Sequence, residues 1–174
     1  EIIFKHFKDG SKWGIKIHYL EERKPLGTAG SLSLLPKNIK NDILVMNGDV
    51  LTKLNLRKLL EFHVQNNAIA TLSVREYIID VPFGVIDTDG VDVKGMTEKP
   101  SYKKNVNAGV YALDPTALNL LNNNERLDMP ELIKRIISSN YKVIACPIHE
   151  YWLDIGRPET LEEAYSSWET SMQK

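Results

Sequence analysis

The sequence has 174 residues, 43% of them hydrophobic and 26% charged, with a formal net charge of −1. That size and balance allow one domain with a substantial core; they give no bulk electrostatic case for nucleic acid or an anionic membrane as a partner. The one cysteine, Cys146, excludes an internal disulfide and suits a reducing, cytoplasmic setting, and no apolar run reaches membrane-spanning length.

The chain opens on Glu1-Ile2-Ile3-Phe4, inside an apolar pattern and with neither a Met nor a signal-peptide layout, so it is read as a piece of a longer protein. Ile15-Lys16-Ile17-His18-Tyr19 alternates as a half-buried strand does. Pro25 to Leu32 is rich in small residues, and a helix is expected to start within it. Ile43-Leu44-Val45-Met46 reads as a strand buried on both faces of a parallel sheet. Leu56, Leu59, Leu60 and His63 share one helical face, with Asn55 as N-cap. Strand-like stretches follow at 70–74, 84–86, 91–96, 106–113 and 141–148. Between the last two, Asp128 and Glu131 form an expected capping box, Pro130 sits in the first turn, and Leu132, Ile133, Ile136 and Ile137 give a buried face. Pro158 opens a final helix striped by Leu161, Ala164, Tyr165 and Trp168. Strands separated by helices predict an α/β fold, with a mostly parallel sheet covered on both faces. In such sheets ligands bind beyond the carboxyl ends of the strands.

The residues at those ends carry the functional reading. Asn47-Gly48-Asp49 releases a carboxylate from a strand, where it can hold a hard cation such as Mg²⁺; the same tripeptide is also ordinary turn chemistry. Asp154, in Trp152-Leu153-Asp154-Ile155-Gly156, repeats that layout before a helix, so two acids at two strand ends can share one ion, or Asp154 can simply cap the helix. Gly27, Thr28 and Gly30 let a flat ligand approach the backbone, or form a tight capping loop; no Gly-Lys-Ser/Thr follows, so this is not a Walker A loop. Glu98 and Lys99 follow a strand and are expected on opposite faces, one for sugar hydroxyls and one for a phosphate, unless they only mark a charged edge. Gly84, Asn107 and Gly109 bring small or amide residues into apolar strands, a sign of close backbone approach. The four histidines show no metal-ligand spacing.

Six segments, in this order, resemble the sugar-1-phosphate nucleotidyltransferase family: LGTAG at 26–30, NGD at 47–49, FGVI at 83–86, EKP at 98–100, NAGVYALDP at 107–115 and WLDIGRPETLEEA at 152–164. The resemblance implies a Rossmann-like three-layer fold over 1–174 with a mixed, mostly parallel sheet and a sugar-binding section at roughly 76–130. It implies Gly27, Thr28 and Gly30 beside the nucleotide base, Asp49 and Asp154 on the catalytic Mg²⁺, and Gly84, Glu98, Asn107 and Gly109 around the sugar, with Lys99 meeting its phosphate. Asp49, Lys99 and Asp154 are then the expected catalytic residues. The family's GGxGTRL loop and Pro-Lys-Pro element are not in the sequence, nor is its first strand; this is read as truncation, which would leave these 174 residues inactive and apolar surface open to homo-oligomer contacts.

The run from Phe7 to Gly30 looks most like bacterial members that use GTP for surface polysaccharide or related glycan precursors, with mannose or glucosamine 1-phosphate as acceptor. The implied partners are a nucleoside triphosphate and a sugar 1-phosphate, with neither nucleic acid nor membrane. A rival reading is a catalytically inactive module that binds sugar-nucleotides. A glycosyltransferase would be expected to carry Asp-x-Asp, where Asn47-Gly48-Asp49 supplies one acid.

Overall fold

The computed structural model describes residues 2–156 and 158–172, apart from the side chains of 167–172. In chain order the elements are α1 (Ile2–Phe7), α2 (Gly27–Gly30), β1 (Ile43–Met46), β2 (Val50–Thr52), α3 (Leu56–Gln65), β3 (Ala70–Asp80) and β4 (Val85–Asp89). There follow β5 (Asp92–Thr97), β6 (Ser101–Leu113), α4 (Met129–Ser138), β7 (Val143–Pro147), β8 (Trp152–Asp154) and α5 (Pro158–Met172).

The main sheet is ordered β1-β6-β3-β7. β3 runs parallel to β7, and β6 runs antiparallel to both β1 and β3. The sheet is therefore mixed, with β6 alone opposed to the other three. Its reversal follows from its connection: β3 returns into β6 through the β4–β5 hairpin, whereas β3 reaches β7 by a crossover containing α4.

β6 is the strand buried on both faces. Tyr111 and Leu113 pack with Leu132, Ile133 and Ile136 of α4 on one side. Val110 and Ala112 pack with Val50 of β2 and Leu59 of α3 on the other. Successive side chains take opposite faces, so a continuous apolar run serves two cores and yields three layers. Burying a side chain such as Leu132 or Ile136 completely contributes about 1.5–3 kcal/mol. Asn55 caps α3 as expected, its Oδ1 accepting the Lys58 N–H at 3.1 Å. His63, 1% exposed, ties α3 to β3 through Nδ1 and the Thr71 hydroxyl at 2.8 Å. Burial pushes the pKa of His63 down, against the pull of Asp42 and Asp114.

Several expectations are corrected. Ile15 to Tyr19 forms no strand; it is an irregular segment whose Ile15 is exposed, and among the described residues no strand pairs with it, the Ile15 and Ile17 N–H groups donating instead to the Gly10 and Asp9 carbonyls. Among the described residues β1 is an edge strand paired only with β6, and it is half-buried, not buried on both faces as its apolar run suggests. Asp128 stands at the N-cap of α4 but makes no side-chain cap bond. Ile137 lies off the buried face. Among the described side chains of the stripe expected in α5, Ala164 is buried and Leu161 and Tyr165 are exposed; the Trp168 side chain lies outside the described residues.

Beyond the main sheet β3 and β6 continue as a two-stranded ribbon to the pair Asp80–Ser101. Val81 N–H to Pro100 O (3.0 Å) and Lys99 N–H to Phe83 O (3.3 Å) carry it to the β4–β5 hairpin.

Candidate active site

Two short strands bring the acids together. β2 and β8 pair antiparallel with Val50 opposite Asp154, and the Ile155 N–H donates to the Asp49 carbonyl at 2.8 Å. The chain then turns at Gly156, whose N–H donates to Asp154 Oδ1 at 2.8 Å. A Cβ at Gly156 would stand 3.0 Å from Asp154 Oδ1 and 3.3 Å from Asp49 Oδ2. The two carboxylates thus converge over one glycine, no further apart than those two distances laid end to end. Both acids are exposed. Mg²⁺ takes oxygens at about 2.0–2.1 Å and commonly uses only one or two carboxylates, with phosphates and water completing its shell. Among the described residues no group of three or more His, Cys, Asp and Glu gathers into a cage. A two-carboxylate donor set open to solvent suits Mg²⁺ shared with a phosphorylated substrate.

The floor behind Asp49 is a bulge in β6. Ser73 of β3 alone faces Ala108, Gly109 and Val110. Each bulged carbonyl finds its own donor: Ala108 O accepts from Trp152 Nε1 at 2.7 Å, Gly109 O from Asn47 N at 2.9 Å and Val110 O from Ser73 Oγ at 2.7 Å. Gly109 adopts φ +72, and a Cβ there would meet Asn47 Nδ2 at 3.0 Å and Val50 at 3.1 Å, so only glycine lets the turn at 47–49 press on the bulge. Asn107 lies just before it, its Oδ1 accepting the Gly109 N–H at 3.1 Å and its amide donating to the Tyr111 hydroxyl at 2.6 Å. Burial pushes the pKa of that phenol up.

Thr28 and residues 45–49 line one open cleft of about 410 Å³, so the 27–30 turn and the Asp49 turn share a wall. The 27–30 turn is itself held from behind. Leu127 O accepts the Ala29 and Gly30 N–H groups at 3.0 and 2.9 Å, Asp128 Oδ1 accepts the Thr28 N–H at 3.0 Å, and Thr28 Oγ1 accepts the Met129 N–H at 2.8 Å. A Cβ at Gly27 would lie 2.6 Å from Asp128 Oδ1, and one at Gly30 would collide with the Glu125 carbonyl oxygen. These glycines make room for residues 125–128 of the protein itself.

Comparison with known proteins fits this arrangement. A family model described as nucleotidyl transferase matches residues 1–171. The chain belongs to the nucleotidyl transferase family. It is 32% identical over 164 residues to the D-glycero-alpha-D-manno-heptose 1-phosphate guanylyltransferase of Campylobacter jejuni, covering 91% of this chain and 70% of that protein. It is 32% identical over 156 residues to the probable mannose-1-phosphate guanylyltransferase 3 of Arabidopsis thaliana, covering 85% of this chain and 47% of that protein. The chain spans about half the length of the mannose-1-phosphate guanylyltransferases it matches. In fold it is similar to HddC from Yersinia pseudotuberculosis complexed with GMP-PN, with a TM-score of 0.70, 22% identity, and coverage of 96% of this chain and 73% of that one.

In this nucleotidyl transferase chain the expected residues fall into three groups. Asp49, Asp154, Asn107 and Gly109 gather around the β2–β8 ladder and the β6 bulge, and Thr28 faces Asp49 across the cleft with Gly27 and Gly30 behind it. Gly84, Glu98 and Lys99 form a separate cluster at the neck of the ribbon, where a Cβ at Gly84 would sit 3.0 Å from Glu98 Oε2. Glu98 and Lys99 occupy a bend, with Lys99 at φ +46, so strand alternation does not set their directions. Among the described residues no hydrogen bond or ion pair joins Glu98 or Lys99 to the aspartates. Sequence reasoning missed Gly156, Trp152 and Asp128. The Asp-x-Gly spacing of 154–156 was the available signal for the first. Nothing local signals that Trp152 reaches residue 108 or that Asp128 reaches residue 28.

Proposed function

We propose that the protein transfers a nucleotidyl group from a nucleoside triphosphate to a sugar 1-phosphate, releasing pyrophosphate and forming a nucleotide-sugar for surface polysaccharide or other glycan synthesis. The observation that carries this reading is the convergence of the Asp49 and Asp154 carboxylates over Gly156, beside a cleft walled by Thr28. GTP is the preferred donor, because the relatives at about a third identity are named guanylyltransferases.

A phosphate oxygen of the sugar 1-phosphate attacks the α-phosphorus in line, and pyrophosphate leaves from the opposite side. The nucleophile is already an anion, so no side-chain base is required; positioning and charge neutralisation supply the rate. Asp49 and Asp154 hold Mg²⁺, which when bound offsets charge on the phosphate oxygens. The 27–30 turn receives the nucleotide, and Gly84, Glu98, Asn107 and Gly109 line the sugar pocket. Glu98 accepts sugar hydroxyls, and Lys99 offsets the charge of the sugar phosphate.

Pyrophosphate release by the full-length protein, measured over ATP, CTP, GTP, UTP and dTTP against a panel of hexose, hexosamine and heptose 1-phosphates, tests this. Release that needs Mg²⁺ and is fastest with GTP supports the reading. Nucleotide-sugar binding with no release from any pair would leave a binding module instead.

A further inference from the structure

We propose that Asp128 is a positioning residue for the nucleotide subsite, holding the 27–30 turn in the shape that meets the nucleotide. The inference rests on the reading of that turn as the nucleotide's seat. α2 has only four residues, too few to hold its own shape. Its entrance is set from outside, because the Thr28 N–H is aimed at Asp128 Oδ1 at 3.0 Å. Gly27, at φ +80, packs directly on the same oxygen. Thr28 in turn walls the cleft that contains Asp49. The Asp128 carboxylate therefore fixes where that wall stands relative to the aspartate pair.

The carboxylate has no duty in its own helix. Asp128 makes no side-chain cap bond in α4, whose Met129 N–H is capped by Thr28 Oγ1. Residues 125–128 stay anchored without it, since Arg135 grips the Glu125 carboxylate through both terminal nitrogens. Removing the Asp128 side chain loosens Gly27 and Thr28 while leaving α4 and its anchor in place. An asparagine keeps an acceptor oxygen in the same position. A glutamate does not, because Gly27 leaves no space for another methylene.

The test compares Asp128→Ala and Asp128→Asn with wild type in the full-length protein. Initial rates are taken with GTP and the sugar 1-phosphate varied separately, alongside far-UV circular dichroism and Tm. The expected result for alanine is a KM for GTP raised about tenfold, a smaller change in kcat, an unchanged KM for the sugar phosphate and a Tm within about 2 °C of wild type. Asparagine should return the KM for GTP to within about twofold of wild type. An unchanged KM in the alanine variant overturns the proposal and leaves nucleotidyl transfer intact. Failure of the alanine variant to fold, or both KM values rising with a fallen Tm and no rescue by asparagine, overturns it in favour of a purely structural role. If wild type itself turns over none of the nucleotides, the underlying reading fails first and takes this proposal with it.

Discussion

The Trp152 indole N–H donates to the carbonyl of Ala108 at 2.7 Å, stitching the strand that carries Asp154 to the β6 bulge that carries Gly109. Arg75 stacks over the Trp152 ring at 5.9 Å from its centroid and donates to the Glu150 carbonyl at 3.1 Å, holding the indole from the far side. Trp152→Phe keeps an apolar ring but leaves the carbonyl of fully buried Ala108 without its donor. Orphaning a buried acceptor costs about 1–3 kcal/mol. Urea denaturation of Trp152→Phe should show a loss of that size. The Mg²⁺ concentration for half-maximal activity should rise as Asp154 loses its register against Asp49.

Asp49 and Asp154 are exposed acids whose interest lies in their charge. Asparagine at 154 keeps Oδ1 for the Gly156 N–H, and asparagine at 49 disturbs no described side-chain bond. Either substitution should leave Tm and circular dichroism as in wild type. Turnover should fall by about 10²–10³-fold, the scale on which loss of one electrostatic group at a reacting centre is felt. Pyrophosphate release under saturating substrates reads the difference. Near-normal release from Asp49→Asn would remove the acid from the mechanism.

How far the sequence spoke depends on the range of each interaction. The Asn55 cap and the buried face of α4 at Leu132, Ile133 and Ile136 obey rules that act within a few residues, and each was legible in its pattern. Burial on both faces was expected of Ile43–Met46 but belongs to β6, because which strand lies inside a sheet depends on partners far away in the chain. The pairing of Asp49 with Asp154 was suggested by their like positions after strands; the β2–β8 ladder that joins them is too short to leave a periodic signature. The capping box expected at Asp128 failed because a partner a hundred residues away competed for the same atoms: Thr28 supplies the cap and takes the carboxylate. The alternation at 15–19 looked like a strand, but alternation states which faces a segment would present and not whether a neighbouring strand exists to pair with it.

Two glycines at the site should respond differently to alanine. At Gly156 the backbone lies outside the left-handed region, and the added Cβ would intrude 3.0 and 3.3 Å from the Asp154 and Asp49 oxygens. Gly156→Ala should therefore cost activity and Mg²⁺ affinity by about tenfold or more, with little change in Tm. At Gly109 the φ of +72 and the contacts with Asn47 and Val50 make alanine strained. Gly109→Ala should lose about 1–2 kcal/mol from backbone strain alone, more once Asn47 is displaced, and activity should fall with it. Paired Mg²⁺ titrations and thermal melts separate the two; equal losses of Tm would contradict the assignment of Gly156 to the ion site.

The anchor behind the 27–30 turn should give way in acid. The Arg135 guanidinium bonded to Glu125 holds that carboxyl at about 2, below its ordinary 4.5, with help from the Asn122 amide. A carboxyl whose pKa is lower in the folded protein than in the unfolded chain stabilises the fold fully above the unfolded value. That contribution is lost as pH falls from about 4.5 towards 2, because the unfolded chain takes up the proton first. Glu125→Gln cannot titrate, so its stability should lie below wild type at pH 7 and converge on it through this window. Urea midpoints for the two proteins at matched pH and salt provide the difference curve, which should slope upward with pH between those limits and be flat above about pH 6. A flat difference throughout would mean that the Glu125–Arg135 pair adds nothing to the fold and that the backbone bonds of Leu127 to Leu26, Ala29 and Gly30, with the Thr28–Asp128 bond, suffice to hold residues 125–128.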